Sequence, residues 1–580
     1  MIEKMTRYSF ILLNADKEGF LKELEELGAV DITRSAKAVD GESERMVKAM
    51  EELKALIACI VKGSDERLEA LKEQIAQCRQ ELEQVRVWGD YDRVRLSALG
   101  IHYYCVPSKS FNSGWNETWP IQEVLREDGK VWFAVIGQAE GFPVKELPAP
   151  TCTLSEAQAA LDAKEAEATA YRKELEARKE ELPELRKELS SMVCGLNRYL
   201  AGITGESAAQ DALIVYEAFA PATEDERLKV AFDSLDCVWM SEAASAEDKP
   251  PIKLRNNWFA RQFEVLTGMY GMPVYDEFDP TPVLAPFFLL FFALCMGDAG
   301  YGLLLIAIGF LLKGKSGGLA KLWRLIISLG AGTFVVGLFL GTFFGIPLAQ
   351  AAWYPEPLKG CIISGTVPLM GNELDIQMVM AVCIGIFHIC LAMVIKSVLF
   401  TRRFGFKQTI STWGWTFLIV GSVLVLSLGL LGLTAPDVAK WAIIGIGAIS
   451  ALGIFIFNKP GRNPLLNIGA GLWDTYGMAT GILGDVLSYI RLYALGLAGG
   501  ILGSTFNQLG AMILGDNPSW QWLPFILLLV FGHALNLAMS CLGAFVHPLR
   551  LTFVEYFKNS GYEGAGRKYS PLEKSTNQNQ

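Results

Sequence analysis

Apolar and polar positions divide this chain into two regimes. Up to about residue 280, short apolar runs alternate with stretches in which charges fill most positions. From 282 to 557 the long apolar runs follow one another closely. The first regime opens with RYSFILL (7–13), whose apolar run predicts a strand. KEGFLKELEELG (17–28) has helical spacing stopped by Gly28, and AVDIT (29–33) predicts a second strand. Leu68, Leu71, Ile75, Cys78, Leu82 and Val85 then step by threes and fours, as do Tyr171, Leu175, Leu182, Leu185, Leu189, Met192 and Leu196. Such seams are what two helices bury against each other. Gly63 interrupts the first helical stretch and Pro183 the second. Strand-like IHYYCVP (101–107) and KVWFAVIG (130–137) lie between them, which predicts an antiparallel coiled coil with a β-containing insert at its tip. Around 211–241, DALIVYEAF, EDERLKVAF and DCVWM predict strand, helix and strand returning to the first unit.

The second regime contains eight apolar segments, near 282–297, 299–313, 322–345, 376–397, 410–432, 439–457, 467–510 and 521–557. Basic residues mark alternate loops. Lys313, Lys315, Lys321 and Arg324 follow the second segment, and Lys396, Arg402, Arg403 and Lys407 the fourth. Lys459 and Arg462 follow the sixth, and Lys558, Arg567 and Lys568 the eighth. The other loops hold only Lys359 and Lys440, so the positive-inside rule puts both chain ends in the cytoplasm. The last two segments run to about forty residues, roughly 60 Å of helix, or twice the hydrocarbon thickness. They are predicted to tilt, break or protrude.

The fold expected is an α-helical polytopic membrane domain of eight transmembrane helices, the last two long and tilted, joined to a cytoplasmic α/β and antiparallel coiled-coil arm. The arm covers 1–280, with a proximal α/β base, a hairpin at about 43–90 and 154–200, and a distal α/β tip at about 91–150. The membrane domain covers 281–557 and a cytoplasmic tail 558–580.

Composition narrows the chemistry. The net charge of −10 argues against nucleic-acid binding. The eleven cysteines show no C-x-x-C pair or metal-like spacing and read as reduced, packed thiols. MIEKMTRYSFILLN lacks the apolar core of a secretory signal, which keeps the first half cytoplasmic in this reading. GFLLKGKS (309–316) matches the literal phosphate-loop pattern, but its first glycine lies inside an apolar segment rather than after a buried strand. It reads as a chance match with interfacial lysines, and no ATP site, cofactor or metal is expected.

Two polar stripes cross the apolar background. In the seventh segment, Gly477, Gly481, Gly484, Ser488, Arg491, Leu495 and Ala498 share one face, small apart from one charge. Small residues admit close approach of another helix. They do not explain an arginine, which costs roughly 2.5–3.5 kcal/mol at a bilayer centre. In the eighth segment, His533, Asn536, Ser540, Gly543, His547 and Arg550 share a stripe, with Glu555 on the next row. Such a stripe suggests a watered path. Histidines there, with His388, relay protons or simply hydrogen-bond. The structural alternative pairs the arginines with Asp485, Asp298 or Glu555.

LGDVLSYIRLYALGLAGG, FVHPLRLTFVEYF with EGAGRKYSP, and DEFDPTPVLAPFF…MGDAGYG resemble subunit I of V/A-type rotary ATPases, the prokaryotic counterpart of vacuolar subunit a. NNWFARQFEVLTGMYGMPVYDEFDPT (256–281) resembles that family's approach to the membrane. The resemblance implies an integral, non-catalytic stator subunit in a bacterial or archaeal cell membrane. Its partners would be the c-ring proteolipids, peripheral-stalk E/G-type subunits and the central-stalk cap. Arg491 matches the family's essential arginine, and Arg550 the second one, with His547 before it. Two half-channels are expected near them, carrying H⁺ or Na⁺. The candidate ion-translocation residues are Arg491, Arg550, His547, Ser488, Asp485, Asn536, Ser540, His533 and Glu555. The ring-facing set is Gly477, Gly481, Gly484, Ser488 and Arg491. Three places depart from the vacuolar pattern: Ser540 stands for a glutamate, Gly499 for a histidine, and EAFAP (217–221) for a GWVP-like segment. A stand-alone secondary transporter or channel is the competing reading, though no internal repeat supports it. A tethered coiled-coil scaffold would not need intramembrane arginines.

Overall fold

The computed structural model describes residues 1–33, 40–63, 65–91, 99–127, 129–137, 142–313, 322–351, 354–369, 372–457, 464–514 and 520–573. Four of the loop cations named above, Lys315, Lys321, Lys459 and Arg462, lie outside them. So do residues 314–316 of the phosphate-loop match and 92–98 of the expected tip. The chain divides into two compact units, 1–10 with 217–570, and 11–216 with the residues from 571. Strands β1 (Met5–Leu13) and β7 (Leu213–Pro221) run through both divisions. With β2 (Asp31–Ile32) and β8 (Val238–Ala243) they form a sheet ordered β2–β7–β1–β8, and β6 (Glu206–Ala208) pairs antiparallel with β7.

In the second unit, helix α1 (Lys17–Leu27) ends where expected, because Gly28 takes the left-handed φ of 65° that a helix C-terminus favours. Helices α2 (Gly41–Lys62) and α3 (Glu66–Arg86) are separated at Gly63. Helices α4 (Leu154–Ala177) and α5 (Leu182–Ile203) are separated at a short 3₁₀ turn, with Pro183 in the first turn of α5, where its missing N–H costs nothing. Capping boxes at Asp40 and Thr153 start α2 and α4, and Asp65 caps α3 by accepting Leu68 N–H at 2.9 Å. Helix α3 packs along α4, and α2 along α5. The direction is antiparallel: Asp65 and Arg67 meet Tyr171, Arg79 meets Glu165 at 2.7 Å, and Asp90 meets Ser155 at 2.8 Å. The buried seam holds Leu68, Leu71, Leu161 and Leu175. In α5 the expected member Met192 is exposed, and Cys194, Leu196 and Leu200 face inward.

Between α3 and α4 a three-stranded antiparallel sheet runs β3 (Ile101–Pro107), β5 (Lys130–Ile136), β4 (Ile121–Glu127), around a core of Tyr104, Val106, Val131, Phe133 and Val135.

In the first unit, helix α6 (Asp225–Phe232) precedes β8, and short helical turns (Trp258–Arg261 and Glu264–Tyr270) lead to the apolar helices. Among the described residues six helices are long and apolar enough to cross a membrane. They are α9 (Trp323–Leu340), α10 (Ile376–Phe404), α11 (Ile410–Leu430), α12 (Pro436–Ala451, continued by a π turn to Ile456), α13 (Pro464–Leu514) and α14 (Trp522–Arg550). The first two expected segments form shorter helices, α7 (Thr281–Met296) and α8 (Ala299–Leu312). Neither long helix at the end breaks: α13 is continuous over 51 residues, and α14 passes through a π turn (Leu551–Tyr556) to a short helix ending at Ser560. Gly309 of the phosphate-loop match sits in the α8–α9 contact, where a Cβ would lie 2.5 Å from Ile327. The core lies where α7, α10, α13 and α14 meet, around Phe288, Phe291, Phe292, Tyr489 and Tyr556.

Candidate functional site

Helix α13 has two unlike faces. On one, Gly496 and Gly503 admit neighbouring backbone. A Cβ would fall 2.6 Å from the Leu294 carbonyl oxygen at the first, and 3.2 Å from Gly345 Cα at the second. On the other, a Cβ at Gly477 or Gly484 would meet nothing within 4 Å, and one at Gly481 would meet only Lys558 Nζ at 3.5 Å. Ser488 donates back to the Gly484 carbonyl at 3.1 Å, a bond that keeps its hydroxyl close to the helix. Arg491 follows on this face, half-buried, with Tyr489 and Leu492 fully buried on either side of it.

No hydrogen bond or ion pair to the Arg491 guanidinium is found among the described residues. Cys295 and His547 lie close enough to feel its charge. The three carboxylates considered as structural partners are otherwise engaged. Asp485 accepts Asn559 Nδ2 at 2.8 Å and lies 3.7 Å from Lys558 Nζ. Asp298 caps α8 and accepts four backbone N–H groups, from Gly300, Tyr301, Phe344 and Gly345, at 2.8, 3.3, 2.8 and 2.7 Å. Glu555, 2% exposed, lies 3.8 Å from Arg550 Nε, close to Ser488. Arg550 itself is 55% exposed, so only its partner is buried.

The stripe on α14 divides in the middle. His533 is bonded at both nitrogens, Nδ1 to the Tyr301 hydroxyl at 2.8 Å and Nε2 to Asn507 Oδ1 at 3.0 Å. Asn536 donates to Tyr301 Oη and to the Gly499 carbonyl, both at 2.9 Å, and accepts from Ser540 at 3.2 Å. Asn507 donates to the Phe344 carbonyl at 2.7 Å. This network joins α8, α13 and α14. Beyond Gly543 it stops, and His547 has no hydrogen bond among the described residues.

Two cavities border α13 on either side of Arg491. One, of about 430 Å³, is lined by Lys396, Trp473, Asp485, Lys558 and Asn559 among others. The second, of about 310 Å³, is lined by Gly297, Asp375, Tyr493, Gly500 and Ser504 among others. In it Tyr493 donates to Asp375 Oδ2 at 3.0 Å.

Tyr301, Asn507, Asp375 and Tyr493 join this arrangement in the structure without being among the expected site residues. A usable signal existed for two of them. Gly496, Gly499, Gly503 and Asn507 recur at helical spacing, and Asp375 stands immediately before an apolar run as an N-cap, accepting Gln377 N–H at 2.9 Å.

Residues 155–327 match the V-type ATPase 116kDa subunit family. The chain is 31% identical over 388 residues to the A-type ATP synthase subunit I of Methanocaldococcus jannaschii, covering 62% of this chain and 55% of that one. It is 30% identical over 373 residues to the V-type ATP synthase subunit I of Borreliella burgdorferi, covering 61% and 59%. With V-type ATP synthase subunit I 1 of Treponema pallidum it is 25% identical over 653 aligned positions, 99% and 100% of the two chains. The chain spans about half the length of the archaeal relatives it matches.

Proposed function

We propose that this chain, similar to subunit I of A-type and V-type ATP synthases, is the membrane stator against which a rotating ring of carboxylate-bearing proteolipids turns. One observation carries the reading: a half-buried arginine without a partner among the described residues, set in an open small-residue face between two cavities. In this reading the chain has eight transmembrane helices, α7 to α14, with both ends cytoplasmic, and 1–280 is a coiled-coil arm that binds peripheral-stalk E/G-type subunits and the central-stalk cap. The cavity at Asp485 opens to the cytoplasm and the one at Asp375 to the opposite side.

The chemistry follows from charge. A fixed guanidinium lowers the pKa of a carboxylate that comes within reach. The ring carboxylate releases its ion to one cavity, passes Arg491 ionised, and is neutralised from the other. The same positive charge repels cations and blocks a direct leak. Arg550, tied to Glu555, and His547 shape the potential on the neighbouring helix. Asp485 and Ser488 pass ions at the cytoplasmic end, and Asn536, Ser540 and His533 fix the geometry towards the other end. Lysine replaces Arg491 poorly, since it lacks the planar fork and loses its proton when buried. No ATP chemistry is assigned to this chain.

The test is Arg491→Ala in the whole complex reconstituted into vesicles. ATP hydrolysis and assembly persist and ATP-driven ion uptake is abolished. Normal uptake by an assembled Arg491→Ala complex would end this reading. Purification without a small proteolipid ring would favour a stand-alone transporter.

A further inference from the structure

One buried imidazole lines neither cavity and has no place on the open face. His388 of α10 is 1% exposed. Its Nδ1 lies 3.0 Å from the hydroxyl of Tyr489, and its ring stacks on Tyr556, with centroids 4.6 Å apart and planes 4° apart. Phe287 and Phe291 close around it, with ring centroids at 4.3 and 5.2 Å. Both polar neighbours lie within two residues of charges of the candidate site. Tyr489 precedes Arg491 by two residues on α13. Tyr556 directly follows Glu555, the carboxylate beside Arg550. The helix that carries His388 is shaped for the contact: a Cβ at Gly385, just before it on the same helix, would lie 2.3 Å from the Tyr489 ring.

Helices in lipid gain little from exchanging one apolar contact for another, so apolar packing alone fixes their register weakly. A directional hydrogen bond fixes it better, because its strength falls steeply with misalignment. His388 Nε2 has no partner among the described residues. A buried imidazole with one free nitrogen costs stability that phenylalanine in the same cage would not. What phenylalanine cannot supply is the tie to Tyr489. We propose that His388 is a positioning residue. It holds α13 through Tyr489 and the end of α14 through Tyr556, and so sets the height of Arg491 relative to the Arg550–Glu555 pair. The proposal rests on the reading of Arg491 given above.

The test compares His388→Phe, which keeps the stack and loses the hydrogen bond, with Tyr489→Phe, which loses the same bond from the other side. His388→Gln retains a hydrogen-bonding group. Each is assembled into the whole complex in vesicles, and ions moved per ATP hydrolysed are measured per assembled complex. A misplaced charge predicts a fall of about tenfold in that ratio for both phenylalanine variants, with hydrolysis retained. The double variant is no worse than either single one, and His388→Gln recovers part of the loss. A normal ratio in either assembled phenylalanine variant overturns the proposal. So does a loss that only tracks the amount of assembled complex. If His388→Phe does not assemble, the nearly isosteric Tyr489→Phe decides. Arg491→Ala is run alongside. If it pumps normally, the stator reading has failed; if it is dead while both phenylalanine variants pump normally, only the positioning role has.

Discussion

The chain pairs helices in two ways. In the second unit, α3 and α4 meet through leucines, with Leu68, Leu71, Leu161 and Leu175 buried and ion pairs such as Arg79–Glu165 along the rim. In the first unit, α8 and α9 meet through glycines. A Cβ at Gly302 would fall 2.5 Å from the Phe334 backbone nitrogen, and one at Gly337 2.3 Å from that of Ala299. The solvent explains the contrast. Burying a leucine from water is worth roughly 1.5–3 kcal/mol. In lipid the same leucine is already among apolar neighbours, and close backbone packing takes over. The hydrophobic side chain is the adhesive in one region and the obstacle in the other.

Opposite substitutions sharpen the contrast. The largest effect is expected from Gly302→Val, which forces a side chain into backbone and destabilises the first unit by about 3 kcal/mol. Thermal unfolding in detergent measures it, and a valine tolerated within about 0.5 kcal/mol would mean that α8 and α9 are not closely packed. Next is Leu71→Ala, expected to cost about 2–3 kcal/mol in the second unit through lost burial and a cavity. Denaturant unfolding followed by circular dichroism reads it, and no change would remove the leucine seam as the cause of pairing.

The smallest effect belongs to the rim. The Tyr171 hydroxyl donates to Asp65 and is the main reason that this carboxyl sits below the usual carboxylate range. A lowered folded-state pKa stabilises above the unfolded value of about 3.9, and the contribution is lost as pH falls through the folded value. Tyr171→Phe is therefore expected to cost less than about 1 kcal/mol at neutral pH, since the site is only partly buried. The difference from wild type narrows as pH falls below about 3.9 and closes below the folded value. A gap that stayed constant down to that pH would assign the effect to ring packing.

Local signals were legible wherever one residue dictates a backbone choice. Gly28 and Gly63 end helices, Pro183 restarts one, and IHYYCVP is a strand over the residues expected. Strand β4 was missed because its pattern changes phase: pairing with β5 slips between Glu123 and Leu125, and a one-residue bulge hides a period of two. In the candidate site, Arg491 was legible as a charge out of place. The Tyr301–His533–Asn507 network was not, because its members are far apart in sequence and no spacing rule joins them. Nor does sequence distinguish glycines that meet backbone from glycines that meet nothing. Gly496 and Gly484 look alike until the neighbours are present.

The bare face of α13 has a mechanical consequence. Side chains that interlock give two surfaces preferred resting positions and barriers between them. At Gly477 and Gly484 there is nothing to interlock, and Ser488 is turned back onto its own helix. In the proposed role this stretch is a plain bearing: a partner sliding past finds no notch there, and the main feature in its path is the electrostatic one at Arg491.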